Sequence, residues 1–475
     1  MRCRIGNRTI AYTTMLVVAS ILFLIMAYNA SGVYWDFVSH ILEAKSLLNP
    51  AFYSAASIPM KLNTAFGKNL YFEPFRAPLS SLAMVPFLWL GKLFIPAYLA
   101  FLVFFLGFAL VVLSGKSGID PLLLGFLFFT PYVLFYLTLL NGTEIFTMAL
   151  ILIAVGYVIE RRSRAGFFMA LACLAKYTTL AFLPLLLLSG DRRKIAESYA
   201  IFGLTTLPWL AFNWIAFGNP FYSYLSSAGT FGISNAGIGI ASILPSVATA
   251  IPVIAIWLVP ALAVIALASH MLGAEKKAAP HAARGEHAGQ EQRVAMLVFA
   301  LGAAGWLALS YRDSLLNMQR FGYLIYIGVA LLMALGGSEV IQRVKNRHAG
   351  AGKIYAALLL SSLLMVGAAY VLLVRYNVIN EYGTTNPEVI NAVMALQQNG
   401  LSGCGIVSNG WVYLRFYGIE AYPPYLYNST ISKFPILAFK TGIGVSPSEI
   451  KAVRLAENIS YGDFYVEIPE GSICG

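Results

Sequence analysis

The chain has 475 residues, of which 59% are hydrophobic and only 11% charged, with a mean hydropathy of +0.73. That balance excludes an ordinary soluble domain and points to a membrane protein with several spans. The formal net charge of +11 does not point to a nucleic-acid partner, because the basic residues fall in short clusters between apolar runs, the pattern of cytoplasmic loops.

Arg2, Arg4 and Arg8 precede an apolar run at 10–28. The run is long enough to cross a bilayer and lacks a small-residue cleavage site, so it reads as a retained first span with a cytoplasmic N-terminus. Residues from about 29 to 95 then form a first external loop. It opens on Tyr34-Trp35-Asp36-Phe37-Val38-Ser39-His40-Ile41-Leu42-Glu43, where helical spacing sets Asp36, His40 and Glu43 on one face. Residues 79–90 are apolar but short for a span and read as a juxtamembrane helix lying in the interface.

Spans at 96–113 and 121–140 follow, with Lys116 inside and the turn Asn141-Gly142-Thr143-Glu144 outside. A fourth span returns to Arg161-Arg162-Ser163-Arg164. The stretch 165–189 has basic clusters on both flanks. Two short helices meeting outside near Lys176-Tyr177 satisfy the charge rule, and one long helix does not. A span at 196–217, an external loop at 218–240 and an eighth span lead to a polar linker at 273–293, whose Ala, Gly, Lys and Glu content reads as flexible. Further spans exit at Tyr311-Arg312-Asp313, re-enter over 321–336 and leave for the last time over 354–374. The total is about eleven.

From residue 375 the composition changes. Asn386-Pro387-Glu388 is a helix start with Pro in the first turn, and 405–407, 435–439 and 464–468 read as strands. The expected fold class is therefore a polytopic α-helical membrane protein, with a transmembrane module at 1–374 and a small extracytoplasmic α/β domain at 375–475. The four cysteines, Cys3, Cys173, Cys404 and Cys474, have no metal-thiolate spacing. Cys404 and Cys474 are either a disulfide of an oxidising compartment or two free thiols.

The order of motifs resembles the GT-C glycosyltransferases. An apolar helix is followed by an external Asp opening a stretch with Asp36, His40, Ala44, Lys45, Leu47 and Leu48, then by Tyr71-Phe72-Glu73 and the basic-Pro step Arg76-Ala77-Pro78-Leu79. The similarity covers roughly residues 10 to 220, leaves out the tail, and is nearest to the protein O-mannosyltransferase and aminoarabinose transferase group. Members are polytopic enzymes of the cell membrane that use polyprenyl-phosphate-linked sugars. The resemblance implies transfer by single displacement with inversion on the outer face, with Asp36 as general base or as organiser of a metal site. The family often has Asp-Glu where this chain has Asp36-Phe37, so no second adjacent carboxylate is available here. It further matches Arg76 to the basic residue before the family's Pro-Leu step, Leu174-Ala175-Lys176-Tyr177 to its small-Lys-aromatic turn, Glu144 to the acidic residue of its second external loop, and Tyr311, Arg312 and Arg320 to its Arg-Tyr pair near the donor phosphate; on charge alone, Arg76, Lys176 and Arg320 are the candidate contacts of that phosphate.

The chemistry stands on its own terms. Glycosyl transfer from a polyprenyl phosphate must deprotonate an acceptor, which a nearby carboxylate does. It must also stabilise a departing phosphate with Arg, Lys or a divalent metal. His40, Glu43 and Glu144 are candidates for an acceptor contact or a metal site, and Mg, Mn or Zn is a candidate cofactor. Each residue has a plainer alternative. Asp36 also suits a helix cap, Arg76 a snorkelling anchor, and His40 and Glu43 suit residues that orient their helix. The expected partners are a lipid-linked sugar, membrane lipid and an acceptor glycan, lipid or protein. The rival functions are a transporter or flippase of a lipid-linked or anionic substrate, against which the charge-poor spans count, and an assembly subunit that binds a partner through its tail.

Overall fold

A computed structural model describes residues 35–48, 76–130, 133–134, 142–225, 285–310, 321–347, 386–422, 434–439, 455–461 and 464–469. These residues are mostly helical, with one small sheet. The expected first, eighth and last spans lie outside them.

The first element is α1 (Trp35–Leu48), the helix on which Asp36, His40 and Glu43 were expected to align. Next come α2 (Pro78–Met84), which starts on a proline as a first helical turn allows, a 3-10 segment (Val85–Leu93) and α3 (Phe94–Ser117). Together Pro78–Ser117 is the one run among the described residues that is long and apolar enough to cross a membrane, and shorter apolar helices accompany it. On α3, Tyr98, Leu102, Leu106 and Leu110 are buried at helical spacing, while Phe104, Phe108 and Val111 are exposed on the other side.

Asp120 caps α4 (Pro121–Phe128), its side chain accepting from the Leu122 N–H. The centre of the helical part is α5 (Glu144–Ile159), buried along nearly its whole length and packed on α3, on α6 (Ala165–Ala175) and on a second 3-10 segment (Tyr177–Leu188). The break expected in 165–189 falls at Lys176, which is extended (φ −160°, ψ 122°) between the two. α7 (Arg192–Phe217) begins on an Asp191 cap that accepts from the Lys194 N–H, and runs through Pro208.

α8 (Gly285–Ser310) and α9 (Tyr323–Arg347) pack against each other. Both correct the sequence reading. Residues 285–293, expected as flexible linker, are the first turns of α8, because their Glu, Ala, Gln and Arg are strong helix formers, and Gln290 Nε2 donates to the Leu188 carbonyl at 3.1 Å. α9 continues about three turns past the expected end at 336. The crossing needs glycine on both sides: a Cβ on Gly302 would sit 2.2 Å from the Leu324 carbonyl oxygen, and one on Gly328 would sit 2.3 Å from Phe299 Cα.

The tail forms α10 (Pro387–Gln398), capped by the Asn386 side chain accepting from the Glu388 N–H at 2.8 Å, and a five-stranded sheet. Its strands are β1 (Ile406–Ser408), β2 (Ala421–Tyr422), β3 (Ile436–Phe439), β4 (Leu455–Tyr461) and β5 (Phe464–Pro469), in the order β2-β1-β3-β5-β4. β2, β1 and β3 are parallel, and β5 and β4 add antiparallel, with Ile436 opposite Glu467. The expected strands correspond to β1, β3 and β5. β2 and β4 are additional. Cys404 is disulfide-bonded. The short helix α11 (Trp411–Phe416) packs on α1, with Lys45 Nζ 5.7 Å from the centre of the Phe416 ring. Burial there holds the Lys45 ammonium below its usual pKa.

Gly328→Leu should force α8 and α9 apart and destabilise the protein by about 1–3 kcal/mol, as overpacking does. Thermal unfolding of the purified protein in detergent reads this, and an unchanged midpoint would contradict the crossing.

Candidate functional site

Four segments meet at one end of the helical part. α1 brings Asp36, His40 and Glu43, the start of α2 brings Arg76, Ser80 and Ser81, the start of α5 brings Glu144, and the break after α6 brings Lys176 and Tyr177. Asp36 keeps 20% of its side chain exposed and binds Arg76, whose Nη2 lies 2.8 Å from Asp36 Oδ1. Glu144 has a side chain with no exposed surface, and Lys176 Nζ donates to its Oε1.

The chain prepares the second pair in three ways. Glu144 opens α5 and Lys176 closes α6, so each charge sits where the helix dipole favours it. Thr143 Oγ1 donates to Glu144 Oε2 at 3.0 Å. The turn before Glu144 holds Gly142 at φ 65°, and a Cβ there would lie 2.8 Å from the Phe37 ring. Only glycine lets this turn close down on α1 beside Asp36.

Polar contacts tie the two pairs together. Ser80 Oγ donates to the Ala175 carbonyl at 3.1 Å, answering a carbonyl that the end of α6 leaves open. Tyr177 Oη donates to the Arg76 carbonyl at 3.3 Å and accepts from Trp209 Nε1 at 2.8 Å. Glu43 is close enough to interact electrostatically with the Tyr177 hydroxyl. The Phe321 ring, just ahead of α9, faces Lys176 Nζ at 5.5 Å, and Thr178 Oγ1 pairs with Tyr323 Oη at 3.0 Å.

His40 and Glu43 are buried and share Ser81. His40 Nδ1 is 2.7 Å from Ser81 Oγ, and Ser81 Oγ donates to Glu43 Oε2. No group of three or more His, Cys, Asp or Glu side chains among the described residues is arranged to hold a metal ion. The structure thus brings Asp36, Arg76, His40, Glu43, Glu144 and Lys176 to one region, as two ion pairs and a hydroxyl-bridged pair. Arg320, Tyr311 and Arg312 lie outside the described residues.

Sequence reasoning passed over Ser80, Ser81 and Trp209, and gave the Tyr177 hydroxyl no task. The available signal was the adjacent pair Ser80-Ser81 inside an otherwise apolar run directly after Arg76-Ala77-Pro78. Two hydroxyls entering an apolar core need partners. No protein-family model matches the chain, and no curated protein matches it.

Breaking the Glu144–Lys176 pair from one side leaves a buried charge uncompensated. Lys176→Met should therefore destabilise the protein by about 3–5 kcal/mol, whereas the double variant with Glu144→Gln should recover most of that loss. A double-mutant cycle on thermal or denaturant unfolding measures the coupling, and additive effects would show that the pair is not formed.

Proposed function

We propose that this protein is a membrane glycosyltransferase that moves a sugar from a polyprenyl-phosphate donor to an acceptor on the outer face of the membrane. The observation that carries the proposal is the convergence of Asp36, Arg76, Glu144 and Lys176, from four separate segments, as two adjacent ion pairs at the ends of apolar helices. Buried charges are costly unless paired, and a site with two cations and a partly open carboxylate suits an anionic donor and an acceptor that must lose a proton.

In this reading about eleven spans carry the site, with the N-terminus cytoplasmic and the tail outside. Support comes from the exposed apolar face of α3, with Phe104, Phe108 and Val111. A helix apolar on both sides needs a non-aqueous cover, and the same face suits the lipid tail of the donor. The donor phosphate draws Arg76 away from Asp36 and takes a second positive charge from Lys176. Asp36 then accepts the acceptor's hydroxyl proton as the acceptor oxygen bonds the anomeric carbon and the sugar–phosphate oxygen bond breaks. A single displacement of this kind inverts the anomeric centre. The tail packs on α1 through α11, and in this reading it selects the acceptor.

Asp36→Asn keeps the size of the side chain and removes the base. In membranes containing this variant, transfer of label from a radiolabelled polyprenyl-phosphate sugar should fall by about 100-fold or more, the usual scale of general-base catalysis. Unchanged transfer would remove Asp36 from the chemistry. Uptake of the lipid-linked sugar into vesicles without a covalent product would point instead to a transporter or flippase.

A further inference from the structure

His40, Ser81 and Glu43 form a third polar unit in the site, one that the ion pairs do not use. All three are buried, Ser81 completely. A serine hydroxyl has one hydrogen and two lone pairs. Ser81 gives its hydrogen to Glu43 Oε2, so its 2.7 Å contact with His40 Nδ1 is a hydrogen bond only when Nδ1 carries the ring proton. In the neutral ring that requirement puts the hydrogen on Nδ1 and leaves the lone pair on Nε2. No described residue bonds Nε2. The direct gap from His40 Nδ1 to Glu43 Oε2 is 3.5 Å, longer than a good hydrogen bond, so the hydroxyl is the connecting atom.

Asp36 and His40 are i and i+4 on α1, one turn apart on the same face, which places their Cβ atoms roughly 5–6 Å apart. His40 thus puts a proton acceptor one turn from the base, on the same face of the helix.

We propose that Ser81 relays a proton from His40 to Glu43, clearing the proton that Asp36 takes from the acceptor. The inference rests on the glycosyltransferase reading above. The acceptor hydroxyl gives its proton to the Asp36 carboxylate, and Asp36 passes it to His40 Nε2. The Nδ1 proton moves to Ser81 Oγ as the Ser81 hydrogen moves to Glu43. Asp36 ends as a carboxylate, His40 as the neutral Nε2–H tautomer, Ser81 as a hydroxyl and Glu43 as a carboxylic acid. No charge is left on the imidazole, and each proton travels along a hydrogen bond or across the one-turn gap. Ser81 and Glu43 are positioning residues here, acting on the reaction through His40.

Two readouts test this. The first is the tautomer of His40, read by nitrogen-15 NMR of histidine-labelled full-length protein in lipid, with His40→Gln to assign the signal. The wild-type protein should show a protonated Nδ1 and an unprotonated Nε2, and Ser81→Ala should shift the ring toward the Nε2–H form. An Nε2–H tautomer in the wild type would overturn the bridge whatever the activity.

The second is steady-state transfer with a polyprenyl-phosphate sugar that the wild type uses. Ser81→Ala and Glu43→Gln should each lower kcat about tenfold or more while the donor KM stays within about twofold, since neither residue binds the donor. Ser81→Thr, which retains the hydroxyl, should restore most of kcat, and thermal unfolding checks that each variant is folded. A folded Ser81→Ala with wild-type kcat would overturn the relay. Absence of transfer by the wild type with every donor would overturn the glycosyltransferase reading and the relay's role with it, while the tautomer result would still decide whether the bridge exists.

Discussion

A carboxylate with no exposed surface is the constraint on which the rest of this site depends. Glu144 lies at the start of a helix buried along nearly its whole length, where an ionised side chain left alone would cost several kcal/mol. The chain meets that cost by interrupting the apolar stretch 165–188 at Lys176 and extending the backbone there, so that the ammonium reaches Glu144 from the end of α6. The interruption frees the last carbonyls of α6, and Ser80 from α2 answers one of them. Tyr177, the next residue, then ties Arg76 and Trp209 to the same point. The second ion pair, between Arg76 and Asp36, therefore sits on a base that the first one fixes.

The tail is coupled to this arrangement through α1. One side of that helix presents Asp36 and His40 to the site, and α11 packs against it with Phe416 near Lys45. Burial of Lys45 lowers its pKa, and a cation-π contact of this kind returns only about 0.5–1 kcal/mol where exposed and more when desolvated. The contact is therefore held by the apolar packing of Phe37, Ile41, Trp411 and Leu414, all buried in one continuous core. Any movement of the α/β unit is felt first by the helix that carries the proposed base.

Features set by local pattern were legible in the sequence. The i, i+4, i+7 spacing of Asp36, His40 and Glu43 gave their shared helix, and basic clusters on both sides of 165–189 gave the break at Lys176. Asn386 ahead of Pro387 gave the start of α10. What depends on tertiary approach was not legible. Arg76 and Lys176 both read as donor-phosphate contacts, and nothing local says that each is held by its own carboxylate, 40 and 32 residues away in sequence. Ser81 was passed over because a serine in an apolar run satisfies itself on its own helix as easily as on another. Residues 285–293 read as linker because their Ala, Gly and Glu serve a flexible tether and a helix alike, and only the packing of α8 on its neighbours decides between them. β2 has only two residues, and in β4 the adjacent Glu457 and Asn458 interrupt the apolar alternation that Ile459 and Tyr461 carry.

The central claim is that paired charges from four segments form a site for a polyprenyl-phosphate sugar. Its most direct test is to incubate the purified protein with a panel of such donors and an acceptor-containing membrane extract, with and without chelator, and to follow loss of each donor. The account predicts that one donor class is consumed, with its sugar recovered on an acceptor and free polyprenyl phosphate released in equal amount. Donors that all remain intact, under every metal condition, would contradict it.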